Sequence, residues 1–219
     1  EIAWKKINTK KFILVLFVQI NMLTQSPIVA VLGTGSIGMR HLQILTENLH
    51  HRAIAVPTRP QRVLQLREEG IEALPSLIEA VRAGSTLGII ATDTGRHLED
   101  SFAALEAGLS LLVEKPLARN VKEASDIYKK ALDHHRQVFV GCVLRFSVSL
   151  NAFKEMLPQI GHARRASIVC QSYLPDWRPD RHYRDCYSAR ADEGGVLRDL
   201  IHDIDYAGWI LGWPKTLTG

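Results

Sequence analysis

The sequence predicts an α/β fold: a doubly wound parallel sheet with helices on both faces, followed by the beginning of a second domain. Apolar runs alternate with helical stretches from residue 28 to about residue 142. Strands that alternate with helices form βαβ units, and their right-handed crossovers make the strands parallel. Ligands bind such sheets at the carboxyl ends of the strands, so we expect the chemistry at that edge.

Five short apolar or β-branched runs are predicted as buried strands. They are Ile28–Leu32, Arg52–Val56, Thr86–Ala91, Leu109–Val113 and Gln137–Cys142. Helical spacing, with glycine or proline at the boundaries, predicts five helices among them. These are Met39–Leu49, Gln61–Glu69, Pro75–Ala83, Arg96–Ala107 and Asn120–His134, the last with Asn120 as its N-cap.

The alternation of apolar runs and helical stretches ends after residue 142, which indicates a second domain. Helices are predicted at Ser147–Leu157 and Val196–Leu211, and a longer strand at Arg165–Tyr173. One strand cannot satisfy its own backbone groups, so either this domain is truncated or the strand pairs elsewhere. We divide the chain into residues 1–21, 22–142 and 143–219.

Residues 1–21 carry Lys10 and Lys11 ahead of a short apolar run, residues 12–18. A membrane span needs about 20 apolar residues, and no small-residue cleavage site follows the run. We therefore expect an extraneous or disordered leader rather than a targeting segment.

The composition excludes several classes of protein. The net charge of +4 is scattered along the chain, whereas a nucleic-acid partner requires a basic face. Cys142, Cys170 and Cys186 are far apart, odd in number and form no CxxC pair, so neither a disulfide framework nor a metal site is predicted. We expect a cytoplasmic protein without a membrane partner.

A glycine-rich loop, GTGSIG from Gly33 to Gly38, links the first strand to the first helix. In such a loop Gly33 makes the tight turn, Gly35 lets a pyrophosphate approach the backbone, and Gly38 allows close packing of helix on strand. The start of the helix, with Ser36 and Ile37, offers amides to the phosphates. In this context the motif predicts an NAD(P)-binding Rossmann domain.

The end of the second strand bears on the choice between NAD and NADP. An Asp or Glu at this place would bind the ribose 2′-hydroxyl of NAD, but the sequence has Pro57, Thr58 and Arg59. A hydroxyl and a guanidinium suit a 2′-phosphate, so the sequence favours NADP. The alternative is that Arg59 is a solvated surface residue.

Two motifs carry candidate catalytic groups. Lys115, in the sequence Glu114-Lys115-Pro116, follows the fourth strand, where it could stabilise a substrate oxygen as hydride leaves the carbon; the proline stiffens this turn and favours a cis bond. Asp199 and His202 are three residues apart in a predicted helix and so share one face. His202 is suited to proton transfer near neutral pH, although a buried histidine paired with a carboxylate for packing is an equal alternative.

Taken in order, these motifs resemble the Gfo/Idh/MocA oxidoreductase family over residues 27–212. They are GTGSIG (33–38), His97, EKP (114–116), RF (145–146) and GGVLRDLIHDID (194–205). The resemblance implies an α/β substrate domain with an open sheet after the Rossmann domain, incomplete in 143–219. It also implies NAD(P)-dependent redox at a sugar, inositol or related polyol carbon.

The resemblance further implies residue roles. His202 would be the base, Lys115 would polarise the reacting oxygen and Asp199 would orient the site, although four residues is the commoner family spacing of the aspartate and histidine. Thr92, His97 and Glu114 would lie at the cofactor, and Arg145 at the substrate.

The stretch from Tyr173 to Arg184 resembles the substrate loop of family members found with bacterial surface-sugar pathways. Trp177 could stack on a sugar face, Tyr183 could line the same site, and Arg178 or Arg184 could bind a carboxylate or phosphate. A structural aromatic and proline corner is the alternative.

Two further functions remain open on this fold. One is a non-catalytic dinucleotide-binding sensor, which would not need both Lys115 and His202. The other is a lyase or glycosidase that uses a bound NAD transiently. For the full protein we expect a homo-oligomer, and for a chain of this length we expect cofactor binding with poor turnover.

Overall fold

The computed structural model describes residues 26–177 and 182–218. Within them the chain forms two compact units, which meet along the sequence between Gly141 and Cys142. The predicted leader, residues 1–21, and Arg178 lie outside the described residues.

The first unit contains a five-stranded parallel sheet in the order β2-β1-β3-β4-β5. Its strands are β1 Ile28–Leu32, β2 Ala53–Val56, β3 Ser85–Ile90, β4 Ser110–Val113 and β5 Val138–Val140. In the register of the central strands, Val31 lies between Ala55 and Ile89. The order reverses direction at β1, and the carboxyl end of β1 there carries the glycine loop, as the predicted doubly wound sheet requires.

Five helices cover the sheet: α1 Ser36–Gln43, α2 Gln61–Glu68, α3 Leu77–Arg82, α4 His97–Glu106 and α5 Val121–Asp133. The first ends earlier than the sequence predicts, because the chain continues in a wider π-helical turn, Ile44–Asn48. Asn120 caps α5 as predicted: its side-chain oxygen accepts a hydrogen bond of 2.9 Å from the Glu123 amide. The core lies between these helices and the strands, and Ala30, Ile54 and Leu111 are among its fully buried residues.

In the described part of the second unit, the helices are α6 Val148–Met156, α7 Val196–Asp199 and α8 Ile201–Leu211, with short 3₁₀ turns elsewhere. Two predictions are wrong here. The continuous helix over Val196–Leu211 is interrupted at Leu200, whose φ of −98° and ψ of 22° are not helical. The strand over Arg165–Tyr173 does not form: the segment is exposed, and no described strand is hydrogen-bonded to it.

No helix in residues 26–177 or 182–218 combines the length and the hydrophobicity that crossing a bilayer requires.

Candidate functional site

Two of the three motif glycines are required by packing. Gly33 has a φ of 90°, and a Cβ there would lie 2.6 Å from the carbonyl oxygen of Ala91. A Cβ at Gly38 would lie only 1.9 Å from the carbonyl oxygen of Gly33. The loop and the first turn of α1 thus come too close to each other and to the end of β3 for any side chain.

Gly35 differs, because the space beside it is open. Apart from its chain neighbours, nothing in the described chain lies within 4 Å of the place that a Cβ would take. Gly35, Ser36 and Ile37 are exposed at the start of α1, where the first amides of a helix have no intrahelical acceptor and carry the positive end of its dipole. The loop therefore fits a pyrophosphate group.

A cavity of about 240 Å³ lies at the carboxyl ends of β1, β2 and β3. Its walls come from the strand ends and from the helices that follow them: Leu32, Val56, Pro57, Thr58, Pro75, Ser76, Leu77, Thr92, Arg96, Asp100 and Ala103. Thr58 lies in this wall, whereas Arg59 is exposed on the adjoining turn. The cavity occupies the edge at which dinucleotides bind in such sheets.

Asp100 organises the wall of the cavity on the side of α4. Its carboxylate accepts hydrogen bonds from the Thr92 hydroxyl at 2.7 Å and from the Arg96 guanidinium at 2.8 and 3.2 Å. The bond from Asp100 also raises the pKa of Arg96. The hydroxyl of Thr92, a predicted cofactor contact, therefore donates its hydrogen within the protein.

His97, at the start of α4, is buried, with an exposure of 1%. Its Nδ1 lies 2.9 Å from the Pro116 carbonyl oxygen, and its Nε2 lies 3.1 Å from the Thr92 carbonyl oxygen. This arrangement joins the loop after β3 to the loop after β4.

Glu114 and Lys115 come directly after β4. Glu114 accepts a hydrogen bond from Nε2 of His41, on α1, at 2.7 Å. Burial alone would raise the pKa of Glu114, but the hydrogen bond and charge of His41, with the Lys115 amide, lower that pKa below its ordinary value. Lys115 is half-buried, and its peptide bond to Pro116 is cis.

In the second unit, Asp199 ends α7 and His202 lies in the first turn of α8. The Ser188 hydroxyl donates to Asp199 Oδ1 at 3.3 Å, and His202 is buried. A Cβ at Gly194 would lie 2.2 Å from the Ser188 carbonyl oxygen, and Gly195 has a φ of 95°, so each position before α7 favours glycine for its own reason. The sequence predicts that Asp199 and His202 share one face of a continuous helix. Because the helix is interrupted at Leu200, that geometry does not apply.

Arg145, a predicted substrate residue, forms a bidentate ion pair with Asp205 of α8. Its Nε and Nη2 donate to the two carboxylate oxygens at 2.9 and 2.7 Å. This pair fixes the 3₁₀ turn Val143–Phe146 against α8, within the second unit.

The aromatic residues of the predicted substrate loop lie in separate 3₁₀ turns. Trp177 donates its indole N–H to the Ser172 hydroxyl. Tyr183 stacks on His182 with ring centroids 5.0 Å apart, and its hydroxyl accepts a bond of 3.1 Å from Arg184. Both side chains thus have neighbours on the surface of their own unit.

The sequence analysis did not single out His41, Arg96, Asp100 or Ser188, all of which organise predicted site residues. A signal was present for His41, which follows Gly38 by three residues and so lies on the same side of α1.

A glycine turn that opens a helix at the carboxyl edge of a parallel sheet, beside a cavity, defines a dinucleotide-binding Rossmann protein. Residues 28–142 match the sequence profile of Gfo/Idh/MocA, described as an oxidoreductase family with an NAD-binding Rossmann fold. The chain belongs to this family, which confirms the resemblance that its motifs predict.

Two curated relatives are similar to most of this chain. An inositol 2-dehydrogenase/D-chiro-inositol 3-dehydrogenase of Halalkalibacterium halodurans is 26% identical over 83% of this chain and 51% of its own length. A 2,7-anhydro-N-acetylneuraminate hydratase of Mediterraneibacter gnavus is 25% identical over 86% of this chain and 50% of its own. The chain thus spans about half the length of the curated relatives it matches.

The fold is shared with the WlbA dehydrogenase of Bordetella pertussis, whose crystal structure contains NADH and UDP-GlcNAcA. The TM-score is 0.70 at 18% identity, over 86% of this chain and 56% of the other.

Proposed function

We propose that this protein is an oxidoreductase that transfers a hydride between NAD(P) and a secondary alcohol of a sugar, inositol or nucleotide-sugar substrate. The proposal rests on the open space beside Gly35. This glycine lies at the start of α1, on the carboxyl edge of the sheet, where the helix amides are free to bind phosphate. Relatives that are named inositol dehydrogenases support the substrate class. A structural neighbour crystallised with NADH and UDP-GlcNAcA supports its extension to nucleotide sugars.

Within the first unit, the amides of Ser36 and Ile37 bind the phosphates, and the cavity that includes Thr58 receives the adenosine end of the cofactor. When bound, the nicotinamide supplies the site that accepts or donates hydride. Lys115 stands at the end of β4, two strands from β1 in the sheet. Its ammonium donates a hydrogen bond to the reacting oxygen and so stabilises the charge that develops there.

The second unit contributes the proton-transfer group. His202 takes the proton of the substrate hydroxyl, since imidazole is the side chain best matched to this role near neutral pH. Asp199 orients the site. We also propose substrate contacts by Arg145, Trp177, Arg178 and Tyr183, with Arg145 held in place by Asp205.

We propose a preference for NADP over NAD. No carboxylate lies among residues 57–60 at the end of β2, and a carboxylate there would repel a 2′-phosphate. Thr58 in the cavity wall and Arg59 on the exposed turn offer a hydroxyl and a guanidinium instead.

A second candidate function is an NAD-assisted hydration or elimination, which the relationship to a hydratase favours. Such a reaction uses the same lysine and histidine but leaves no net reduced nicotinamide. The two proposed reactions can therefore be distinguished by whether reduced nicotinamide accumulates.

The test is incubation of the protein with NAD⁺ or NADP⁺ and a panel of inositols, hexoses and nucleotide sugars. Accumulation of reduced nicotinamide, lost in Lys115→Ala and His202→Ala while cofactor binding is retained, supports the dehydrogenase. Consumption of a substrate without reduced nicotinamide would favour the second candidate. A protein that binds neither NADH nor NADPH would contradict both.

A further inference from the structure

A single side-chain bond links the helix that begins at the phosphate loop to the strand end that bears Lys115. His41 lies in the second turn of α1, and Glu114 immediately precedes Lys115. Nε2 of His41 is 2.7 Å from Glu114 Oε1, and the two side chains are 3% and 16% exposed. A bond this short between such shielded groups holds both of them in one orientation.

The chemistry of the pair defines the direction of the bond. A carboxylate only accepts hydrogen bonds, so the hydrogen between the two groups must be on Nε2 of His41. The lowered pKa of Glu114 agrees with an ionised acceptor. Nδ1 of His41 is buried and has no hydrogen-bond partner among the described residues. The orientation of the ring thus depends on Glu114.

The second carboxylate oxygen of Glu114 contacts the backbone. Its Oε2 lies 3.3 Å from the amide nitrogen of Lys115. A Cβ at Gly141, just after β5, would lie 3.0 Å from this oxygen, so the absence of a side chain there makes room for the carboxylate. The position of the carboxylate is consequently linked to the position of the Lys115 backbone.

We propose that His41 is a positioning residue, which acts through Glu114 to couple the phosphate-binding end of α1 to the placement of Lys115. This inference rests on the proposed function, in which Lys115 contacts the reacting oxygen. Ser36 and His41 lie in the same short helix, α1, so the bond from His41 to Glu114 also restrains the start of this helix relative to the strand end that bears Lys115.

The first arm of the test needs no cofactor. Nitrogen-15 NMR of the histidine rings distinguishes the Nε2–H tautomer from its alternatives. We expect the spectrum to show a hydrogen on Nε2 of His41 in the unmodified chain, and the Nε2 signal to shift in Glu114→Ala, which lacks the acceptor. The same His41 signal in both proteins would overturn the inference.

The second arm measures NADPH and NADH affinity by the fluorescence of the reduced nicotinamide. We expect His41→Asn to weaken binding about tenfold, a loss of about 1.4 kcal/mol, because the shorter amide cannot reach Glu114. His41→Gln, which carries a donor near the position of Nε2, should recover most of the affinity. Gln43→Ala, an exposed change on the same helix, serves as the control and should bind normally.

The two arms separate the failure of the inference from that of the proposed function. Equal affinities for His41→Asn, His41→Gln and the unmodified chain would overturn the coupling while the dinucleotide site remained. If the unmodified chain bound neither cofactor, the proposed function would fall, and the coupling to a bound phosphate would fall with it. The NMR arm would then still decide whether His41 depends on Glu114. Thermal unfolding of each variant verifies that the chain is folded.

Discussion

His97 holds the loop that contains Pro116 in place: its Nδ1 lies 2.9 Å from the carbonyl oxygen of that proline. The other ring nitrogen faces the carbonyl oxygen of Thr92 at 3.1 Å. Thr92 follows β3 and Pro116 follows β4, so one buried imidazole sets the distance between the loops at two neighbouring strand ends.

Replacing His97 with alanine should lower the free energy of unfolding by about 2–4 kcal/mol. The change removes the contacts of the imidazole with two backbone carbonyl oxygens and leaves a cavity in a fully buried place. Urea denaturation followed by circular dichroism measures the effect. His162→Ala, at an exposed histidine, should change stability by less than about 0.5 kcal/mol. Similar stabilities of the two variants would show that the His97 contacts do not hold the loops.

The two kinds of glycine in the phosphate loop should respond in opposite ways to substitution. Gly38→Ala places a Cβ 1.9 Å from a carbonyl oxygen, so we expect it to destabilise the fold by more than about 3 kcal/mol. Gly35→Ala should leave stability nearly unchanged, because its Cβ has open space, but should weaken NAD(P)H binding about tenfold or more. Thermal unfolding and fluorescence titration distinguish the two effects. Unimpaired cofactor binding by Gly35→Ala would contradict the assignment of the loop.

Arg59→Ala should weaken NADPH binding about 10- to 100-fold, the usual contribution of a charge-assisted hydrogen bond. NADH binding should change by less than about twofold, since NADH lacks the 2′-phosphate. Arg62→Ala removes a partly exposed arginine, which bonds Gln65 within α2, and should affect neither cofactor. Equal losses for NADH and NADPH in Arg59→Ala would reject the proposed preference.

The stabilising effect of Glu114 should disappear in acid. Its carboxyl has a lower pKa in the folded state than the ordinary value of 4.5, so the folded state favours the ionised form. That stability is complete above the unfolded pKa and is lost as the pH falls through the folded pKa. The difference in unfolding free energy between the unmodified chain and Glu114→Gln should therefore narrow as the pH falls below the ordinary value of 4.5. A difference that stays constant over this range would show that ionisation of Glu114 does not contribute.

The pair of Arg145 and Asp205 should show measurable coupling in a double-mutant cycle. Their side chains are 40% and 11% exposed, so solvent weakens an otherwise favourable bidentate geometry, and we expect about 1 kcal/mol. The exposed pair of Lys122 and Asp126, in α5, should show less than about 0.5 kcal/mol. Coupling in the first pair that is no greater than in the second would argue against a structural role for this ion pair.

Much of the first unit was predictable because its signals are local. The run Ile28–Leu32 forms a strand with the predicted bounds, and Asn120 caps a helix, since β-branched burial and capping depend on neighbouring residues. The π-helical turn after α1 and the interruption at Leu200 carry no such signal. The strand over residues 165–173 failed because a strand depends on a partner that its own sequence does not specify.

In the site, too, local motifs could be recognised from the sequence, whereas contacts between distant residues could not. GTGSIG and EKP are contiguous motifs, so the sequence could mark Gly33 and Lys115 as candidate site residues. His41 and Glu114 are 73 residues apart, and their contact depends on the sheet order that brings α1 beside the end of β4. The sequence pointed to Glu114 as a site residue, but it gave no indication that His41 is its partner.

The difference between Gly35 and the other two loop glycines has a consequence for how this sequence can evolve. A lineage that ceased to use a dinucleotide could accept alanine or serine at position 35 without harm to folding, whereas positions 33 and 38 would stay glycine for as long as the domain folds. Among diverged copies of this gene, the middle glycine would therefore record whether the ligand is still used, and the outer two would record only that the architecture persists.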